Sequence, residues 1–457
     1  MLQTMINAWK IADLRKKILF TAFILLVFRI GSAITIPFVD IGPGGILGDA
    51  ANQGTFLAYL NMLTGDAFNF ATILAMSITP YINSSIIMQL LTVAIPALER
   101  LQKEGEEGRK KIATITRYVT IGLAILQSTA YYIFLRNGGA GESATFLLTN
   151  QYGNLYTGFS AFLQGAVIVT VLTAGAGLTM WLGERINVSG IGNGVSIILF
   201  AGIIARIPQM VQQLYGPVNG YIALGGVWIP MSIIAGLSIL ASIAFIVWMD
   251  NAERRIPVQY TKHVVGRKMY GGQSSHIPIK VNMTGVLPII FASSILSLPP
   301  TIGMFVTPTE GSFWYGFLNA FRFDSPWYLL MYFLMIIGFA YFYASIQYDP
   351  TEMSNNIRNN HGMIPGYRPG EPTVAYIRRI LNHVTLLGAL MLSAVALFPV
   401  AFSLVSALII QGVFGQQGTM QIALGGTSVI IMVGVALETV KQLESQMMLR
   451  HYKGFLD

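Results

Sequence analysis

Few residues in this chain have the type and spacing for acid–base, nucleophilic or metal chemistry. The five histidines, His263, His276, His361, His383 and His451, fall in polar stretches or at the ends of apolar runs. Scattered in this way, they do not make a metal site. There is no cysteine, which removes disulfides, thiolate ligands and cysteine nucleophiles. No Asp or Glu lies deep in an apolar run; Glu184 and Glu438 sit at run ends. Proton-coupled carriers usually need intramembrane carboxylates or histidines. Intramembrane hydrolases need a nucleophile with a base, or a carboxylate pair at depth. The glycine-rich SGIGNG, residues 189–194, lacks the Gly-Lys-Ser/Thr and the preceding strand of a phosphate loop, so it reads as a tight turn. No cofactor and no metal site is expected.

What remains is polar and basic. GMIPGYRPGEPT, residues 362–373, holds three prolines and three glycines around Arg368. It is expected to be neither helix nor strand. It belongs to one of two long polar loops, 250–284 and 347–379, both rich in Gly, Pro, Arg and Lys.

The elements that carry these loops are oily. Of 457 residues, 54% are hydrophobic and 11% charged, against about 25% charged in a soluble domain. Mean hydropathy is +0.60. The apolar runs fall roughly at 18–36, 69–91, 112–135, 158–182, 191–207, 223–249, 285–306, 327–346, 380–404 and 423–440. Each is near the length that crosses a bilayer core. The fold class is therefore an all-α polytopic membrane protein with ten transmembrane helices. The leader MLQTMINAWKIADLRKK reads as an amphipathic lead-in rather than a cleavable signal. The shorter segment 55–63, TFLAYLNML, is too short to cross and suits a re-entrant or buried helix.

Charge sets the orientation. When successive segments are placed on alternating sides, nearly all of the 28 Lys and Arg share the side of the N-terminus. Arg136, Arg206 and Arg322 fall on the other side, and Arg29 lies within the first run. This bias puts both termini in the cytoplasm. Arg29 is the one deeply placed charge, and the cost of burying it argues for a role. The chain divides into 1–208 and 209–457, five runs each. An odd number of spans inverts the second half relative to the first, the arrangement that places a pathway between halves.

Two runs have polar interruptions. The second, FNFATILAMSITPYINSSIIMQLL, carries Pro80, Asn83 and Ser84; the seventh carries Pro288, Ser293 and Ser294. Proline inside a helix removes a hydrogen bond and kinks it, so both helices are expected to be kinked. Small polar residues serve helix packing or line an aqueous path.

Five stretches, in this order, resemble the SecY family of protein-translocase channel subunits. They are ITPYINSSIIMQLL, WLGERINVSGIGNGVSIILFAGI, GGQSSHIPIKVNMTGVLPIIFASS, IPGYRPGEPT and LGGTSVIIMVGVALE. The resemblance covers essentially the whole chain. It implies a channel that passes unfolded polypeptides across the bacterial plasma membrane and releases hydrophobic segments sideways into lipid. The pore ring would be Ile78, Ile82, Val195, Leu199, Ile290 and Ile431. A narrow apolar constriction dewets and blocks ions. The segment 55–63, with Thr55, Phe56, Leu57, Tyr59, Leu60 and Leu63, would be the plug. Pro80, Asn83, Ser84, Pro288, Ser293 and Ser294 would mark the lateral gate. Arg254, Arg255, Lys262, Arg267, Lys268 and Arg368 would meet cytosolic partners. The resemblance implies the SecA motor ATPase, the ribosome, the SecE and SecG subunits, signal sequences and unfolded preproteins as partners, with lipid around the chain and no DNA. The chain itself would not be an enzyme. The alternative is a secondary transporter with five-plus-five inverted repeats, which would hold a small-solute site at midplane.

Overall fold

A computed structural model describes residues 8–41, 45–46, 60–61, 63–136, 147, 158–215, 228–260, 263–265, 268–270, 274–296, 299, 312–321, 325–414 and 426–453. Helix α1 is Ala12–Gly31, and α2, Thr79–Ala94, is followed across a 100° bend by α3, Pro96–Lys103. Then come α4, Glu106–Arg136; α5, Phe159–Ser189; α6, Gly194–Ala205; α7, Ile207–Tyr215; and α8, Trp228–Asn251. The second half continues with α9, Leu287–Leu296; α10, Phe313–Ala320; α11, Pro326–Gln347; α12, Pro350–Asn359; α13, Glu371–Phe414; and α14, Gly426–Lys453.

Among the described residues, 7 helices are long and apolar enough to cross a bilayer, or 8 if the bent pair α2–α3 is one span. The two remaining predicted spans are helical but differ in character. α1 carries Asp13, Arg15, Lys16, Lys17 and Arg29, which dilute its apolar length. α9 is 10 residues long.

The two halves pack alike. In the first, α1 touches α5 and α6, α2 touches α4, α4 touches α5, and α5 touches α6. In the second, α8 touches α13 and α14, α9 touches α11, α11 touches α13, and α13 touches α14. Helix for helix these neighbours correspond, and the first half adds a contact of α2 with α5. The halves meet where α6 packs on α14 and where α2 packs on α9.

Two expectations need correction. Pro80 and Pro288 do not kink their helices. Both stand in the first turn, of α2 and α9 respectively. The leading N–H groups of a helix have no intrahelical partner, so proline removes nothing there and its φ is preset for the helix. The sharp bend in this region falls at Pro96 instead.

Residues 69–78, expected as the first half of a span, are not helical. They run as successive turns, with Ala71 and Ser77 at positive φ (40° and 45°). Short polar side chains take the backbone partners a helix would need. Asn61 Oδ1 accepts from Asn69 N at 3.0 Å, Thr64 Oγ1 accepts from Phe68 N at 3.1 Å, and Thr72 Oγ1 donates to Ala67 O at 3.2 Å. A bridge closes the other side: Ile36 N donates to Ala71 O, and Ile73 N to Ile34 O, both at 2.9 Å. Irregular backbone at membrane depth survives only inside protein, and Ala67, Phe68, Ala71, Leu74 and Ala75 are all buried.

The glycine-rich 189–194 stretch is the turn expected of it. Asn193 caps α6, accepting from Val195 N and Ser196 N, and Gly192 takes φ 77°.

The two polar loops join in one sheet. Strand β1, Glu253–Tyr260, pairs with β4, Ser274–Lys280, and with β5, Gly362–Met363, in the order β4-β1-β5, all antiparallel. β2, His263–Val265, and β3, Lys268–Tyr270, form a separate pair. In β1 the buried Ile256 and Val258 alternate with exposed Arg255, Pro257 and Gln259, the period of a half-buried strand. They pack with Ile279, Ile357, Ile364 and Ile377 into a core of their own. The stretch 362–373 is thus not irregular throughout: it begins in β5 and ends in α13.

Candidate functional site

Every residue assigned to the ring lies in one hydrophobic cluster where the halves meet. Ile78, Leu199 and Ile431 are buried in it, and Ile82, Val195 and Ile290 pack against it half-buried. Local structure explains the convergence. Ile78 caps α2 and Ile82 lies one turn on, so both share a face. The Asn193 cap sets Val195 in the first turn of α6, with Leu199 one turn beyond. α9 and α14 bring Ile290 and Ile431 from the other half.

A cavity of about 20 Å³ sits here, room for about one water. Its apolar lining comprises Ile82, Leu199, Ile290 and Ile431, closed by Leu60 and Leu63; Thr79, Asn83 and Ser294 supply a polar edge. Ile78 and Val195 stand in the cluster but do not line the cavity. Thr79 Oγ1 and Asn83 Oδ1 are buried without a hydrogen-bond partner. The seam between α2 and α9 is therefore incompletely satisfied from within the chain.

Other assigned residues fall elsewhere. Ser84 faces α4, donating to Thr116 O at 2.7 Å, and is not on the seam. Ser293 donates to Ile290 O within α9. Of the short segment, Leu60 is half-buried and Leu63 buried. Thr55, Phe56, Leu57 and Tyr59 lie outside the described residues, as do Lys262 and Arg267.

Arg254 and Arg255 are exposed on β1, and Lys268 opens β3. The Arg255–Glu253 pair, at 2.6 Å, is largely solvent-exposed and contributes little. Arg368 is exposed, on a loop with firm footings. Tyr367 stacks on Tyr376 with centroids 4.1 Å apart, and Tyr367 N donates to Ile364 O at 3.1 Å. Thr373 Oγ1 donates to the Arg368 carbonyl at 2.8 Å. Gly366 and Gly370 take φ 87° and 115°, which favour glycine. The guanidinium has no ion-pair partner among the described residues.

Three polar contacts escaped sequence reasoning. Arg206, expected at the end of a run on the side opposite the termini, is buried and paired with Asp66 at 3.2 Å. Asn61, fully buried, donates to the same carboxylate at 2.8 Å. Arg29, expected to be buried, is exposed at the surface of the chain, and it donates to Gly65 O at 3.1 Å. Asp66 and Arg206 are too far apart in the chain for spacing to signal a pair.

Apolar helices in two similarly packed halves, with a small apolar constriction at their junction, define a polytopic membrane protein of channel architecture. The SecY family model matches residues 72–440. The chain is 42% identical over 460 residues to the protein translocase subunit SecY of Streptomyces scabiei, covering 100% of both. By this measure it belongs to the SecY family. Its fold is also that of a solved structure described as a protein-conducting channel, with TM-score 0.60, 17% identity and coverage of 95% and 92% of the two chains. A second, at TM-score 0.59, 17% identity and the same coverage, is described by its finding that the SecY plug domain stabilises the closed channel and maintains a membrane seal.

Proposed function

We propose that this chain is the central protein-conducting channel of a Sec translocase. It passes unfolded polypeptides between its halves and releases hydrophobic segments through the α2–α9 seam. The observation that carries this reading is the cavity: side chains from α2, α6, α9 and α14, drawn from both halves, meet there with Leu60 and Leu63. A narrow apolar waist excludes hydrated ions yet deforms around a chain. We assign the ring to Ile78, Ile82, Val195, Leu199, Ile290 and Ile431, and the plug to residues 55–63. The gate is the seam at Asn83 and Ser294, opened from the helix starts at Pro80 and Pro288.

The chain is a conduit rather than an enzyme, with energy supplied by a SecA-type motor or by translation. The one sheet that unites both polar loops supports a cytosolic docking platform for SecA or a ribosome, with Arg368, Arg254 and Arg255 on it. SecE and SecG complete the assembly. The charge bias supports both termini in the cytoplasm, and membership of the SecY family supports a place in the plasma membrane. The repeated helix neighbours support a division into 1–208 and 209–457.

The test is preprotein import into proteoliposomes holding this chain with SecE and SecG, with SecA and ATP added and protease protection as readout. Protected preprotein is expected. Its absence with a verified partner set, together with solute uptake by the chain alone, would favour a transporter.

A further inference from the structure

We infer that Arg29 and Arg206 are positioning residues that clamp the hinge of the plug. The Arg206–Asp66 ion pair acts as a latch between the plug and the helix that carries the ring residue Leu199. This rests on reading 55–63 as a plug.

Residues 63–66 carry the chain out of that segment and are held on three sides. From α1, Arg29 Nη1 donates to Gly65 O at 3.1 Å. From α6, Gly202 leaves a notch for the chain: a Cβ on Gly65 would lie 2.8 Å from Gly202 O, and one on Gly202 would lie 2.6 Å from Leu63 O. At the end of α6, Arg206 Nε meets Asp66 Oδ1 at 3.2 Å, with the two side chains 10% and 12% exposed. Asp66 reaches that position at φ 71°, a left-handed conformation that Asp tolerates better than most non-glycine residues. Asn61 holds the same oxygen from the plug side at 2.8 Å.

The geometry ties two moving parts together. Leu199 and Arg206 lie two turns apart, about 10 Å along one helix. A displacement of α6 that widens the ring therefore moves Arg206 against Asp66. Parting a buried ion pair leaves two unpaired charges, which is costly until water reaches both. The latch thus resists small fluctuations of the ring. It yields once an entering chain has opened and wetted the outer funnel.

The chain has no cysteine, so Leu60→Cys gives a unique thiol on the plug. Its labelling by an impermeant maleimide enclosed in the proteoliposome lumen, the side onto which the outer funnel opens when SecA is added outside, reports plug position. All variants carry Leu60→Cys, and detergent melting verifies that each is folded. With Asp66→Asn or Arg206→Gln, labelling is expected about tenfold faster than with the native pair. Arg206→Lys should fall between. The reversed pair, Asp66→Arg with Arg206→Asp, should return toward the slow rate, which a merely structural effect of either site would not do.

Adding preprotein with SecA and ATP to the parent is the control. Faster labelling there, with parental rates in the single variants, would overturn the latch and leave the plug. Faster singles without recovery in the reversed pair would also overturn it. No acceleration by preprotein would overturn the plug reading and the latch with it. If Arg206→Gln does not fold, Arg206→Lys decides: a parental rate overturns the latch, a faster one supports it.

Discussion

Ile82 of α2 and Ile290 of α9 line one cavity from opposite halves of the chain, although neither is fully buried. Their shared surface is apolar, so the wall they form sheds water. Replacing either by Asn puts an amide at the waist, where it can hold water and lower the barrier to ions. Planar-bilayer recordings of Ile82→Asn and Ile290→Asn should show a resting conductance that the parent lacks. An unchanged trace from both would remove these two residues from the ring.

Much of this architecture is legible in the sequence, and the failures share a cause. The apolar runs are long and charge-poor, so burial in lipid alone identifies them. The 189–194 turn follows from glycine and the Asn193 cap. Residues 69–78 mislead because they are as apolar as a helix. What bends them is a set of hydrogen bonds from Asn61, Thr64 and Thr72, and periodicity does not report these. Residues of one cavity, such as Leu199 and Ile431, carry no mutual signal in one sequence. They reach the ring assignment only through resemblance. The Asp66–Arg206 pair had no resemblance to lean on and was missed. The β1–β5 pairing, made through Gln259 and Met363, joins loops that composition treats as separate.

Arg368 stands exposed on a loop pinned by the Tyr367–Tyr376 stack and the Thr373 hydrogen bond. Its planar fork can bind a carboxylate or phosphate in two-point fashion, with little left to order. Arg368→Glu should abolish motor-driven import while leaving melting temperature and resting conductance unchanged, since the side chain touches nothing that holds the fold. Import at the parental rate would reduce Arg368 to a solvated residue.

Removing the plug should leak, but where the deletion stops matters. Asn61 is fully buried and hydrogen-bonds both Asp66 and the backbone of Asn69. Deleting 55–60 spares it; deleting 55–63 removes it and strips the support from the turns that follow. Leaving such partners buried and unsatisfied costs about 1–3 kcal/mol. Both deletions are expected to raise resting conductance, and only the longer one to lower the melting temperature. Asn61→Ala alone should reproduce that lowering. Equal stability of all three proteins would contradict the anchoring role.

Gly362 tests whether the two polar loops work as one platform. It begins β5 beside β1, and a Cβ there would lie 3.0 Å from Tyr260 Cε1 and Val258 Cγ1 and 3.1 Å from Ile357 Cγ2. These are packed side chains of the sheet's own core, with little freedom to withdraw. Gly362→Val should therefore strain the β1–β5 junction by about 1–3 kcal/mol and loosen the footing of Arg368, far from the cavity. The expected result is impaired import, as with Arg368→Glu, while resting conductance stays at the parental level. A leaky pore in this variant would mean that the sheet bears on the constriction directly. Normal import would mean that Arg368 does not depend on the junction for its placement.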